Sequence, residues 1–168
     1  MVVRTVLTLS TRQAAEAKSM RLRDCYLELA AQAVDGARTV RVPAMAGIDE
    51  NMREWSIFMI LEHNAIVNRS ITSIVVSLAR GEQPSGLGAI NPKTDVMPSP
   101  AAGSAQLEAF CSSVDEHVTA VRALKKLRGT RTWPHPVFGD FDAHKWNSMF
   151  AFHLGLHLPQ ARYVAEIK

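Results

Sequence analysis

His153 and His157 stand four residues apart in the stretch from Trp146 to Gln160. On a helix that spacing sets them one above the other on a single face. Steps of three and four from Trp146 through Phe150, His153 and His157 to Ala161 and Val164 trace a stripe that is otherwise apolar, the pattern of a buried face. A buried imidazole needs a partner, and two adjacent ones do not both stay protonated. A shared metal ion satisfies both nitrogens at once.

A third histidine has the same setting. The stripe Ile60, His63, Val67, Ile71, Ile74, Leu78 follows helical steps, so His63 also lies on an apolar face. Alone it reads as a satisfied core residue; beside the His153/His157 pair it reads as a ligand. Three neutral imidazole nitrogens suit zinc, nickel or iron(II), with a position left for water or substrate. No Glu-x-x-His pair lies on the inward faces, which disfavours a carboxylate-rich di-iron site, and no cysteine pair closes a structural zinc site. An open three-histidine site is a catalytic pattern: the metal lowers the pKa of a bound water or thiol, or polarises a carbonyl.

Four long helices are expected to position these groups. The first begins at Ser10 or Thr11 and runs to about Val34, closed by Asp35-Gly36. The second starts at Asp49 or Asn51, where Asn51 and Glu54 resemble a capping box, and runs to Ala79 before Arg80-Gly81. The third spans about Ser104 to Leu127, with Leu107, Phe110, Val114, Val118, Val121 and Leu124 inward. Asp142 caps the fourth. His117 falls off the third stripe beside Glu116 and is expected to be exposed. His144 is expected near solvent; His135, between two prolines, reads foremost as a surface residue and alternatively as one approaching the site from its loop. Within the fourth helix Pro159 would press on the carbonyl of Gly155, so a kink or an end is expected just beyond His157, leaving a free carbonyl near the ligands. Gln160 reads equally as a hydrogen-bond partner behind the ligands or as an exposed edge residue.

Between these helices, four prolines from Gly81 to Gly103 exclude regular helix. That segment is either a lid over one end of the helices or an inert surface loop. No strand and no internal repeat stands out. The expectation is all-α: one domain over residues 1–168, a four-helix bundle with metal ligands pointing inward.

Bulk composition agrees with a globular chain, 47% apolar and 21% charged. The net charge of +3 is scattered. Its densest group, Lys125, Lys126, Arg128 and Arg131, reads as cations at a helix C-terminus rather than a nucleic-acid patch. No stretch reads as a signal peptide or a membrane span. Cys25 and Cys111 each sit within a helical pattern and read as reduced thiols at or near the core, as in a cytoplasmic protein.

Trp55-Ser-(x)6-His63, followed by His153-x-x-x-His157-x-x-Gln160, resembles the DinB/YfiT-like family of metal-binding four-helix bundles. Pro134-His135-Pro136-Val-Phe-Gly139 followed by Trp146 is similar to an uncharacterised subfamily of that group. The resemblance covers most of the chain in helix order through few specific residues. It implies a divalent metal, zinc or nickel in many members, on residues matching His63, His153 and His157, with Trp55 and Gln160 behind them. It also implies a small-molecule substrate and a tendency to homodimerise, while the scattered charge and lack of a long apolar segment lead to the expectation of no nucleic-acid or membrane partner. Some relatives are S-transferases or isomerases that use a low-molecular-weight thiol such as bacillithiol or mycothiol; others are assigned as hydrolases. This chain departs from the commoner pattern at Leu156-His157-Leu158-Pro159, where an adjacent His-His pair is frequent.

A metal-dependent enzyme joining a thiol to a small electrophile is therefore the leading expectation. Hydrolysis by metal-activated water is an alternative. A bundle that binds metal or ligand and catalyses nothing is another.

Overall fold

The computed structural model describes residues 2–84 and 94–167. Its elements run α1 (Val2–Leu9), α2 (Arg12–Gln32), β1 (Val40–Arg41), a 3-10 turn (Glu50–Met52), β2 (Glu54–Trp55), α3 (Ile57–Ala79), α4 (Ala105–Ala123), β3 (Thr132–His135), β4 (Gly139–Asp142) and α5 (Ala143–Glu166). The chain is mainly helical, in agreement with the all-α expectation. Among the described residues no helix is long and apolar enough to cross a membrane.

Side-chain caps explain where three of the long helices begin. The Thr11 hydroxyl accepts the Ala14 N–H at 3.1 Å, and the Asp142 carboxylate accepts the Lys145 N–H at 3.0 Å. For α3 the cap is Ser56, which accepts the Met59 N–H at 3.2 Å. The expected start at Asp49 or Asn51 is therefore wrong. The backbone between them is used otherwise, since Trp55 and Glu54 pair with Val40 and Arg41 in an antiparallel ribbon. At its other end α3 closes on Gly81, whose φ of 80° suits a left-handed residue. The Glu82 N–H bonds the Ser77 carbonyl at 2.9 Å and the Gly81 N–H bonds that of Leu78 at 3.1 Å, a Schellman closure. α4 stops at Ala123 rather than Leu127, and Arg12 donates to the carbonyls of Val121 and Leu124 at its end.

Each long helix packs on two others: α3 against α4 and α5, and α2 against α5 and α4. The inward stripes meet in a core that includes Tyr26, Ile60, Ile74, Leu78, Phe110, Phe150 and Leu154, all essentially inaccessible. Tyr26 and Phe110 meet edge to face at 5.3 Å. Of the kink or end expected just beyond His157, the end does not occur: α5 continues through Pro159 to Glu166. Pro159 itself is exposed, while Ala161, Val164 and Ala165 beyond it are buried. Tertiary burial of that last segment outweighs the hydrogen bond that proline removes. The Tyr26 hydroxyl donates at 2.8 Å to the carbonyl of Leu154, one residue before Gly155.

Strands and a short helix, absent from the expectation, complete the fold. α1 packs on α5. β3 and β4 form a hairpin pairing Trp133 with Phe141 and His135 with Gly139. Ribbons of two to four residues, one of them containing Pro134, are too short to show an alternating pattern. α1 also explains why His144 is buried, contrary to expectation: its Nε2 donates at 3.3 Å to the carbonyl of Thr8. Arg128, from the basic group, donates to the carbonyls of Thr8 and Ser10. Cys25 and Cys111 are free and half-buried, and burial raises the Cys111 thiol pKa.

His117 is the largest correction in the core. It is buried, and its ring stacks on Phe150 at 3.7 Å between centroids. The Thr72 hydroxyl gives its hydrogen to the Asn68 carbonyl at 2.7 Å, so His117 Nδ1 donates to that hydroxyl at 2.9 Å, and Nε2 meets the Asn147 side-chain amide at 3.1 Å. Asn68 Nδ2 donates to Ser113 Oγ at 2.9 Å one helical turn away from Thr72. The inner face of α4 thus carries polar groups matched across α3 and α5, which periodicity alone reads as outward.

Burial lowers the His117 pKa to about 4. The unfolded chain, with an imidazole near pKa 6.5, binds the proton first as pH falls, so His117 contributes stability above about pH 6.5 that is lost progressively toward pH 4. Chelator-treated protein should therefore lose stability over that window. In His117→Gln, which cannot take up the proton, urea titrations at successive pH values should show a slope shallower by about 1.4 kcal/mol per pH unit. An unchanged slope would mean that His117 is already protonated or exposed.

Candidate metal centre

His63 lies on the second turn of α3, and His153 and His157 on successive turns of α5, where the two helices pack together. Their imidazoles form one cluster: centroids are 5.1 Å apart for His63 and His153, 4.6 Å for His63 and His157, and 4.8 Å for His153 and His157. One ring nitrogen from each lies within 4.8 Å of the others. His63 and His157 are buried and His153 is half-buried.

The proton positions follow from the partners. His63 Nδ1 stands 2.7 Å from the carbonyl oxygen of Val96, which only accepts, so Nδ1 carries the hydrogen and Nε2 presents a lone pair. Gln160 orients the second ring. Its Nε2 donates to the Met52 carbonyl at 2.6 Å, which turns Oε1 toward His157 Nδ1 at 3.0 Å. His157 therefore also carries its hydrogen on Nδ1 and leaves Nε2 free. Gln160 is fully buried, which settles the alternative of an exposed edge. Trp55, also buried, lies 5.0 Å from the His63 ring and stacks at 18° on that of His157.

Desolvation keeps all three rings uncharged. Burial, then the neighbouring His157, lowers the His63 pKa to about 3, against the opposing bond to Val96. Burial likewise holds His153 well below its ordinary value, and His157 below it despite the Gln160 bond. Nε2 of His63 and Nε2 of His153 face each other at 3.3 Å. Bonds of roughly 2.0–2.1 Å at tetrahedral angles set two zinc ligands about 3.3 Å apart, so this pair has the separation of a ligand edge. His153 Nδ1 is buried with no hydrogen-bond partner among the described residues. These nitrogens fit a divalent cation. Among the described residues no other group of three or more histidines, cysteines or carboxylates does.

The segment 94–103 packs against this cluster. Val96 and Ala102 are buried, and the Ser99 N–H donates at 2.7 Å to Glu62, next to His63. The part of the Gly81–Gly103 segment at 85–93, where a lid was one expectation, lies outside the described residues.

His135 was expected foremost at the surface, but it is half-buried and lines the same cavity as the three histidines, in line with the alternative. Its ring packs 4.9 Å from Phe138, 5.3 Å from Phe141 and 5.2 Å from Trp146. Nδ1 accepts from the N–H groups of Val137 and Phe138 at 3.1 and 3.3 Å, so the hydrogen of the neutral ring is on Nε2. Burial lowers its pKa to about 4. The density of aromatic residues from Trp133 to Trp146 was the available sequence signal. The cavity itself measures about 380 Å³.

Comparison with known proteins returns no match: no family profile, no curated protein and no solved structure matches this chain.

The geometry makes the ligand assignment testable by elemental analysis. Replacing His63, His153 or His157 singly by Ala should each abolish metal binding, whereas His135→Ala should leave the stoichiometry unchanged. Gln160→Leu frees the His157 ring to turn and should weaken metal affinity by roughly 10–100-fold. Unchanged metal content in His153→Ala would place the site elsewhere.

Proposed function

We propose that the chain is a metal-dependent enzyme of the DinB/YfiT-like bundle type that joins a thiol to a small electrophile, using a divalent ion held by His63, His153 and His157. The observation that carries this reading is the convergence of three uncharged imidazoles, two with proton-free Nε2 fixed by carbonyl acceptors, on the wall of a cavity large enough for a substrate. A closed structural site would need a fourth protein ligand. Among the described residues the cluster offers three. When bound, the ion supplies Lewis acidity, lowering the pKa of a thiol or a water molecule in its open position.

The chain's own groups account for the rest of the chemistry. Val96 and Gln160 hold the rings in one tautomer, and Trp55 excludes water from their rear faces. The apolar cavity wall favours a desolvated, more nucleophilic sulfur. In the transfer a carbon–sulfur bond forms, the bond from that carbon to its leaving group breaks, and the thiol proton passes to solvent. Hydrolysis is less well supported. Asp49 is the one carboxylate among the described residues that line the cavity, and it is exposed. That leaves little to serve as a general base for water.

Protein reloaded separately with zinc, nickel and iron(II) should be incubated with an aryl-activated alkyl halide, with and without cysteine-derived thiols. Metal- and thiol-dependent conjugate formation, lost in His63→Ala, is the expected result. Metal-dependent turnover of activated esters without any thiol would favour hydrolysis instead. Stoichiometric metal with no turnover of either kind would leave a binding protein.

A further inference from the structure

Polarity is distributed unevenly around the cavity beside the three histidines. Val67 and Ile71 from α3, Met149, Phe152 and Leu156 from α5, and Phe138 from the hairpin form its walls. Among the described residues no lysine or arginine lines it, and Asp49, being exposed, lies at the rim. Val137 at the hairpin tip is 73% exposed and still borders the cavity, which places an apolar residue at its mouth. A charged ligand body would lose its hydration here and find no opposite charge among the described wall residues. His135 is different in kind. Both backbone bonds go to its Nδ1, so its Nε2–H is left as a donor with no acceptor among the described residues.

On the strength of the metal reading above, we propose that this cavity seats the electrophilic substrate, and that the substrate is an uncharged, apolar or aromatic small molecule with one hydrogen-bond acceptor, engaged by His135 Nε2–H. The volume of about 380 Å³ suits a ring with a short substituent and lies at the small end of ligand pockets. The thiol then approaches from the mouth. A donor fixed by two backbone bonds needs no reorientation when it meets an oxygen on the substrate, so His135 selects for the position of that oxygen.

The test uses zinc-loaded full-length protein, with zinc content measured first, and three hydroxamates as probes in titration calorimetry. All three share the same metal-binding head. Benzohydroxamate should bind at least tenfold more tightly than acetohydroxamate, because its ring enters the apolar walls. 4-Carboxybenzohydroxamate should fall back by tenfold or more. Val67→Trp, which fills the cavity, should erase the preference for the phenyl probe and leave acetohydroxamate affinity in place. His135→Phe keeps a ring against Trp146 but removes the donor. It should weaken benzohydroxamate at least fivefold with zinc content and melting temperature unchanged. Equal affinities for the phenyl and methyl probes, or tighter binding of the carboxylate, would overturn the apolar pocket while leaving the metal site intact. Unchanged binding in His135→Phe would overturn its assignment as the donor. Zinc that fails to load would sink this proposal together with the metal reading.

Discussion

The interaction on which the rest depends is the chain from the Met52 carbonyl through Gln160 to His157. A buried amide must place its N–H₂ against an acceptor and its oxygen against a donor. The Met52 carbonyl claims the first, and so the second is aimed at the imidazole. One backbone group in the 3-10 turn therefore fixes an amide on α5, which fixes a ring proton, which determines which nitrogen enters the cluster. The β1–β2 ribbon has a structural purpose in this light. It anchors the chain on both sides of Met52, with the Val42 N–H bonded to the Arg53 carbonyl at 2.8 Å and Arg53 Nε bonded to the Val42 carbonyl at 2.9 Å. A segment that sequence patterns present as a helix start or loop is in fact a brace for a side chain more than a hundred residues away.

A second polar layer runs through the interior beyond the three histidines. Asn68 with Ser113, and Thr72 with His117 and Asn147, tie α3 to α4 and α4 to α5. Apolar stripes alone allow helices to slide by a turn at modest expense. Matched hydrogen bonds between buried groups do not, because a slip of one turn would leave each group unpaired in a low dielectric. This layer holds α3 and α5 at the register in which His63 meets His153 and His157.

How much of this was legible follows from the same physics. Periodicity read from single residues located the four long helices, and the Thr11 and Asp142 caps were visible because each side chain acts within its own turn. His63 could be joined to the pair on α5 because all three interrupt apolar stripes. Gln160 could be placed behind His157 but not chosen over an exposed edge residue, because the deciding acceptor, Met52, is distant in sequence. His117 and His144 were misplaced for a related reason. Their partners, Thr72, Asn147 and Thr8, lie on other helices, and a polar residue off the stripe looks solvent-facing until those neighbours are known. His135 depended on a hairpin of four-residue strands that leaves no periodic signal. Burial and long-range acceptors are properties of the assembled fold, whereas stripes and caps are local.

The bond from His63 Nδ1–H to the carbonyl of Val96 joins a ring of the cluster to the segment 94–103 that covers it. An imidazole is a conduit: drawing electron density from one nitrogen makes the hydrogen on the other more acidic and its bond to an acceptor stronger. On the proposed reading, occupancy at Nε2 and docking of the Val96 backbone are thus two views of one equilibrium, and thermodynamic reciprocity requires each to favour the other by the same factor. Val96 also borders the cavity. The covering segment is accordingly a reporter of what the histidines hold, and anything that peels it away loosens their grip in equal measure.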